Sequence, residues 1–151
     1  APYGILQSLL DDRVLTATLA SVARVLKPGA TFGIDLVSDL PAWQEYENRT
    51  KLRGTRGTGR NQVRITLVES VRQQRRKGLT TFEQEFIERR GRETRRHRFT
   101  LSFRTLSVED MASRLERAGF RVKAVLGDYR GGAWDDRADV WLILAERRCP
   151  A

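Results

Sequence analysis

Few side chains of this protein are of the types that do acid–base, nucleophilic or metal chemistry. His97 is the only histidine and Cys149 the only cysteine. One imidazole and one thiol cannot build a metal site without nearby carboxylates, and no set of His, Cys, Asp and Glu has metal-ligand spacing. His97 shares a face of an alternating run with Phe99 and Leu101. We therefore expect His97 to be a half-buried structural residue.

Asp35 is the more informative acid, because it interrupts the apolar run TFGIDLV at residues 31–37. An unpaired carboxylate inside such a strand is costly in free energy. We expect Asp35 either to end its strand at the rim of an active site or to pair with an arginine.

Three glycines, Gly54, Gly57 and Gly59, are spaced like those of a phosphate-binding loop. Such a loop needs a strand before it and a helix after it. Here the residues that follow, from Val63 onward, alternate like a strand. The context therefore does not favour a glycine-loop phosphate site.

The formal charge of +9 is concentrated in the middle of the chain: residues 49–104 hold 17 of the 28 basic residues and 5 of the 19 acidic ones. Basic strands with aromatic residues are typical of single-stranded nucleic-acid binding. The aromatic residues of this segment lie on the face opposite many arginines, which favours a core on one side and solvated charge on the other. A nucleic-acid-binding module using residues 49–104 is kept as the alternative function.

Composition limits the class of protein further. At 151 residues, with 40% hydrophobic and 31% charged residues, the chain is typical of one globular domain. No apolar run approaches the ~18 residues that a membrane-spanning helix needs. A single thiol favours a reducing compartment, so we expect a cytoplasmic protein.

The helical elements are predicted by apolar stripes and by caps. Leu15, Leu19, Val22 and Leu26 form one stripe of a helix, which Pro28 and Gly29 end. A second helix begins at a capping box, SVED at residues 107–110, and ends at Gly119.

The remaining elements are predicted strands and loops. Apolar runs predict strands at residues 31–37, 121–127 and 140–146, with a long loop before the last. A short helix at 41–46 is followed by a mobile loop at 49–62. Alternation between residues 63 and 104 predicts a three-stranded antiparallel meander with turns at Lys77-Gly78 and Arg90-Gly91.

In this order the elements resemble the C-terminal part of class I S-adenosylmethionine-dependent methyltransferases of the small-molecule type. RVLKPGATFGIDL, residues 24–36, resembles a helix and the fifth strand of that family, with the LkPGG corner before the strand. RTLSVEDMASRLERAGFRVKAVLGDYRGG and VWLILAERR resemble its last helix and its sixth and seventh strands. APYGILQSLL resembles the segment after the fourth strand, and residues 63–104 fit an insertion found in one branch.

The resemblance implies a fold and its division. The fold class is α/β, the C-terminal half of a Rossmann-like methyltransferase sheet with an inserted meander. Residues 1–48 and 105–151 are the partial core, 49–62 the mobile loop and 63–104 a lid or acceptor-side wall. The family's glycine-rich donor-binding turn and ribose-binding acid have no counterpart here. We therefore expect a fragment that is inactive alone and self-associates through an unpaired sheet edge.

The resemblance also implies the cofactor and site. S-adenosylmethionine is the methyl donor, the acceptor is a small molecule, and neither membrane nor nucleic acid is expected as a partner. The expected donor contacts are Ala1, Pro2, Tyr3 and Gly4. The expected acceptor contacts are Arg104, Tyr129 and Trp134. No catalytic base is assigned, because methyl transfer depends mainly on positioning and electrostatics.

Overall fold

The computed structural model describes residues 1–37, 42–135, 137–138 and 140–149. The chain divides into two compact units. The core unit comprises Ala1–Pro41 and Phe103–Ala151, and the sheet unit comprises Ala42–Ser102. No helix in the described ranges is long and apolar enough to cross a membrane.

The described residues form two α-helices and seven strands. In chain order they are α1 (Asp12–Val25), β1 (Thr31–Val37), β2 (Tyr46–Arg56), β3 (Val63–Gln74), β4 (Leu79–Arg90), β5 (Glu93–Arg104), α2 (Val108–Arg117), β6 (Phe120–Leu126) and β7 (Val140–Arg147). Single turns of 3-10 helix occur at Ile5–Ser8, Gly59–Asn61 and Arg75–Lys77.

The core unit contains a three-stranded sheet in the order β1-β7-β6. β7 lies in the middle and runs antiparallel to both neighbours. Ile34 and Leu36 of β1 and Ile143 of β7 are buried in one cluster with side chains of both helices. Because successive strand residues point to opposite faces, Asp35 and Val37 lie on the sheet face away from this cluster.

Side-chain caps fix the starts of both helices, and Gly119 follows the end of α2 as predicted. The Asp11 carboxylate accepts hydrogen bonds from the Arg13 and Val14 amides at the start of α1. The Ser107 hydroxyl accepts one from the Asp110 amide at the start of α2. Gly119 follows α2 with a φ of 91°, and a Cβ there would lie 2.8 Å from an Arg147 guanidinium nitrogen. These contacts explain where both helices begin and where α2 ends.

The sheet unit holds a four-stranded sheet in the order β2-β3-β4-β5, one strand more than predicted. The extra strand is β2, which pairs antiparallel with β3 from Tyr46↔Val71 to Arg56↔Val63. The expectations of a short helix at 41–46 and a loop from residue 49 are therefore wrong where they overlap β2; Pro41 lies outside the described residues. β2 has two register shifts and exposed side chains at all but its first position, so it lacks the alternation that predicts strands.

β5 forms the other edge of this sheet and is more open than expected. Phe99 is 54% exposed although its ring packs edge-on against Phe86. His97 is exposed as well, so the prediction of a half-buried histidine is wrong. An edge strand has a neighbour on one side only, and its apolar face is covered correspondingly less.

Candidate functional site

The first residue of the chain pairs with β1 on the edge opposite β7. The backbone nitrogen of Ala1 donates to the Gly33 carbonyl at 3.0 Å. The Asp35 amide in turn donates to the Ala1 carbonyl at 3.2 Å. A residue that donates to one strand position and accepts from the position two further on has the hydrogen-bond pattern of a parallel ladder. Ala1 is thus aligned parallel to β1.

The chain turns sharply after this pairing. Tyr3 and Gly4 both have positive φ angles, 57° and 62°. A Cβ on Gly4 would lie 2.6 Å from the Gln7 side-chain oxygen and 2.9 Å from a Val37 methyl group. Only glycine fits this position, because it alone avoids both the strained backbone and the overlap. Tyr3 is 85% exposed, so its ring projects into solvent beside the turn.

Asp35 holds the turn in place. One carboxylate oxygen accepts a hydrogen bond from the Gly4 amide at 3.0 Å, and the other accepts from the Tyr129 hydroxyl at 2.6 Å. Of the two expectations for this acid, pairing with an arginine is not what the structure shows. Asp35 instead joins residues after Ala1 to the loop after β6, at the end of β1.

The electrostatics of this cluster follow from the carboxylate. The hydrogen bond to Asp35, followed by desolvation and the negative charge of Asp35, raises the pKa of the Tyr129 phenol. The Tyr3 phenol adds a smaller contribution in the same direction to the pKa of Tyr129. Tyr129 is 66% exposed, so its ring, like that of Tyr3, is available to a ligand. Tyr3, Gly4, Asp35 and Tyr129 are called the tyrosine cluster below.

Gln7, a residue that was not predicted at this site, hydrogen-bonds to the end of β1. Its side chain is fully buried. The Gln7 amide nitrogen donates to the Val37 carbonyl at 3.2 Å, and its oxygen accepts from the Val37 amide at 2.8 Å. The side chain therefore satisfies the last backbone groups of β1 as a neighbouring strand would. No local sequence signal indicates such a contact, because Gln7 and Val37 are 30 positions apart.

Arg104, predicted at an acceptor pocket, lies in an ion-pair network. Its guanidinium donates to the Asp12 carboxylate at 2.5 Å, and Arg114 binds the same carboxylate oxygen at 3.1 Å. Hydrogen bonding to Arg104 and the charges of both arginines lower the pKa of Asp12. Two guanidinium nitrogens of Arg104, Nε and Nη2, are buried without a hydrogen-bond partner in the described part of the chain. No ion pair or hydrogen bond among described residues links Arg104 to the tyrosine cluster.

Trp134, the other predicted acceptor contact, packs against the core instead of standing free in its loop. Its ring meets Trp141 of β7 edge-on, with centroids 6.2 Å apart. Both indoles lie against the core cluster, and the indole N–H of each is buried without a hydrogen-bond partner in the described residues. Among the residues described, no group of three or more His, Cys, Asp and Glu side chains is placed to hold a metal ion.

Comparison with known proteins reveals a fold match but no sequence match. No protein-family model and no curated protein matches the chain. Among solved structures, an S-adenosylmethionine-dependent methyltransferase from Clostridium acetobutylicum matches with a TM-score of 0.69 and 14% identity, over 97% of this chain and 56% of that chain. The sugar N-methyltransferase KedS8 from Streptoalloteichus also matches with a TM-score of 0.69, at 15% identity over 97% and 54% of the two chains.

A third match was solved with the methyl donor present. CalS10, an amino pentose methyltransferase from Micromonospora echinaspora bound to S-adenosylmethionine, matches with a TM-score of 0.60 and 14% identity, over 96% of this chain and 55% of that chain. At these identities the likeness establishes the fold. The chain therefore has the fold of slightly more than half of such a methyltransferase.

Proposed function

We propose that this chain is the C-terminal part of the catalytic domain of an S-adenosylmethionine-dependent methyltransferase that acts on a small-molecule acceptor. The parallel pairing of Ala1 with β1 is the observation that carries the proposal. The two hydrogen bonds of this one residue have the parallel pattern on one side of β1, while β7 on the other side is antiparallel. A sheet that is parallel on one side of β1 and closed by an antiparallel strand on the other is the arrangement that the sequence resemblance implies.

The tyrosine cluster is the part of the donor site that we assign to this chain. Bound S-adenosylmethionine supplies the electrophilic methyl group. Tyr3 and the backbone of residues 1–4 contact the donor, and Asp35 fixes the turn that carries them. Both carboxylate oxygens of Asp35 already accept hydrogen bonds, so Asp35 acts as a positioning residue. A rigid turn keeps the reactants aligned, which is most of what methyl transfer requires from a protein.

Of the three expected acceptor contacts, Tyr129 and Arg104 are proposed to contact the acceptor. Tyr129 fits best, because it is exposed and its hydroxyl binds the same Asp35 carboxylate as the Gly4 amide. The two unpartnered guanidinium nitrogens of Arg104 are donors that a polar acceptor group would satisfy. Trp134 serves as a wall of the core rather than as a cap on the acceptor. Residues 63–104 are proposed to act as the lid or acceptor-side wall.

The donor's remaining contacts are proposed to come from residues outside this chain, in the same polypeptide or in another. Parallel strands belong in the interior of sheets, with neighbours on both sides. If no such neighbour is present, the edge of β1, which only Ala1 and the Gln7 side chain contact, favours association of the chain with itself. The isolated chain is then inactive and does not bind the donor.

Calorimetric titration with S-adenosylhomocysteine tests the proposal. The isolated chain is expected to show no binding at micromolar concentrations. The product of the longest open reading frame that contains this sequence is expected to bind S-adenosylhomocysteine. In that longer protein, Tyr3→Ala is expected to weaken binding at least ~10-fold. This factor corresponds to about 1.4 kcal/mol, the free energy of one stacking contact. Ile5→Ala, an exposed apolar residue two positions on, is the matched control.

Two results would contradict the proposal. Micromolar binding by the isolated chain would show that the donor is held without the residues we assign elsewhere. Equal affinities of the Tyr3→Ala and Ile5→Ala variants would remove the tyrosine cluster from the donor site.

A further inference from the structure

A pocket of about 560 Å³ opens at one end of the four-stranded sheet, where the β2–β3 and β4–β5 connections lie side by side. Its lining consists of Gly59, Gln62, Arg64, Arg89 and Gly91. A Cβ on Gly59 or Gly91 would meet nothing within 4 Å, so both turns border open space. The lining contains no acidic side chain, and it is called the arginine-pair pocket below.

Arg64 and Arg89 are direct cross-strand partners in the β3–β4 ladder. Side chains paired in this way have Cβ atoms about 4.5–5.5 Å apart, and like charges there destabilise a sheet. Neither guanidinium has an ion pair or hydrogen bond within the described ranges. The nearest acid on that face of β4 is Glu85, about 13 Å away along the strand. Its two oxygens already accept hydrogen bonds from Arg96 and Arg98.

The opposite face of the same sheet end provides an internal comparison. A smaller pocket there, of about 100 Å³, is lined by Arg56, Val63, Glu88, Arg90, Glu93 and Arg95. Its three arginines are accompanied by two glutamates. The positive charge of that pocket is therefore largely balanced locally, whereas the charge of the arginine-pair pocket is not.

We propose that the arginine-pair pocket binds the phosphate group of a phosphorylated small molecule. Guanidinium groups donate paired hydrogen bonds that match phosphate oxygens, and two of them facing one space neutralise a dianion. The Gln62 side chain, on the pocket wall, adds an amide donor. A bound phosphate would also relieve the repulsion between the two paired arginines. The binding groups are side chains of a sheet and not a glycine loop, in keeping with the strand β3 that follows the single 3-10 turn at Gly59–Asn61.

Thermal unfolding of the whole chain in inorganic phosphate, at constant ionic strength, tests the pocket. Ligand that binds only the folded state raises the melting temperature as its concentration exceeds Kd. We expect such a rise in the wild type and in the Arg95→Gln control. In Arg64→Gln and Arg89→Gln we expect at least a ~10-fold loss of phosphate affinity, as for removal of a charged hydrogen-bonding partner. Without phosphate, either substitution should raise the melting temperature slightly, because both arginines are exposed and repel each other.

The matched control separates binding from a general salt effect. Phosphate also stabilises proteins by exclusion from their surfaces. A rise of equal size in the wild type and all three variants would be that effect and would overturn the proposal.

A second arm separates a discrete phosphate site from a nucleic-acid surface. The probes are a nucleoside diphosphate and a single-stranded oligonucleotide. Preferential binding of the diphosphate, lost in Arg64→Gln and kept in Arg95→Gln, supports the pocket. Oligonucleotide binding that falls steeply with salt and weakens equally in both variants would overturn it, because an extended basic surface would then be the site.

Discussion

Replacing Gln7 by methionine tests whether one buried side chain completes the edge of β1. Methionine has a similar length and shape but no hydrogen-bonding amide, so the change removes two hydrogen bonds without creating a large cavity. The Val37 amide and carbonyl then lose their partners in a partly buried place.

The expected loss follows from those two bonds. Each neutral hydrogen bond contributes about 1 kcal/mol net, and an unsatisfied buried group adds about 1 kcal/mol or more. Part of this loss is offset by burial of the more apolar methionine. We therefore expect the free energy of unfolding to fall by about 2–3 kcal/mol. With a urea slope of about 2 kcal/mol/M, the unfolding midpoint falls by about 1 M.

Urea titration of Gln7→Met beside Gln74→Met measures the difference. Gln74 is exposed, so its substitution should leave the midpoint within about 0.25 M of the wild type. Equal midpoints for the two variants would refute the role given to the Gln7 amide.

Gln7→Glu gives an independent check. A carboxylate keeps the acceptor for the Val37 amide, but it faces the Val37 carbonyl with a second acceptor. Burial and this repulsion favour the protonated form, so the folded-state pKa of the new carboxyl should exceed its unfolded value. Its destabilising effect should then be present at neutral pH and shrink as the pH falls below that folded-state pKa. An effect independent of pH would contradict the reasoning.

Three further predictions concern single groups. Tyr129→Phe removes the hydroxyl that donates to Asp35 and should lower the free energy of unfolding by about 1 kcal/mol in urea; no change would mean that solvent replaces the bond fully. Desolvation and the hydrogen bond to Glu69 raise the pKa of Tyr46 to about 12, so its contribution to stability is complete below about pH 10 and is lost as the pH rises through about 12. Ultraviolet absorbance of the phenolate checks this, and Glu69→Gln should shift the titration to lower pH; an unchanged curve would contradict the assignment. Ser107→Ala removes the cap of α2 and should cost about 1 kcal/mol, whereas Ser113→Ala, on the exposed face of α2, should not; equal effects would refute the capping role.

Elements with a strong local signal were predictable from the sequence. The TFGIDLV run forms β1 over the predicted residues, because consecutive apolar and β-branched side chains specify a strand wherever a core receives them. The capping box at Ser107 and the glycine at 119 bound α2 for equally local reasons. β2 was missed because an edge strand exposed on both faces needs no alternation of apolar residues.

The site was predictable only in part. The resemblance selected Tyr3, Gly4 and Tyr129, and the structure brings them together through Asp35, whose position in an apolar strand marked it as unusual. Which donors satisfy that carboxylate depends on how distant segments meet, and no spacing in the sequence specifies it. The partners of Gln7 and the packing of Trp134 depend on tertiary contacts in the same way. The pairing of Arg64 with Arg89 likewise depends on strand register, which neither residue reveals alone.

The strand order of the sheet unit also sets how its backbone amides exchange with solvent deuterium. β3 and β4 are each enclosed by two neighbours, whereas β2 and β5 have one. β2 and β5 can each detach when a single ladder of hydrogen bonds breaks. The hairpin of β3 and β4, in which Val71 is fully buried, opens only when the whole sheet unit unfolds. Protection should therefore decline from the middle of the sheet towards both edge strands, β2 and β5.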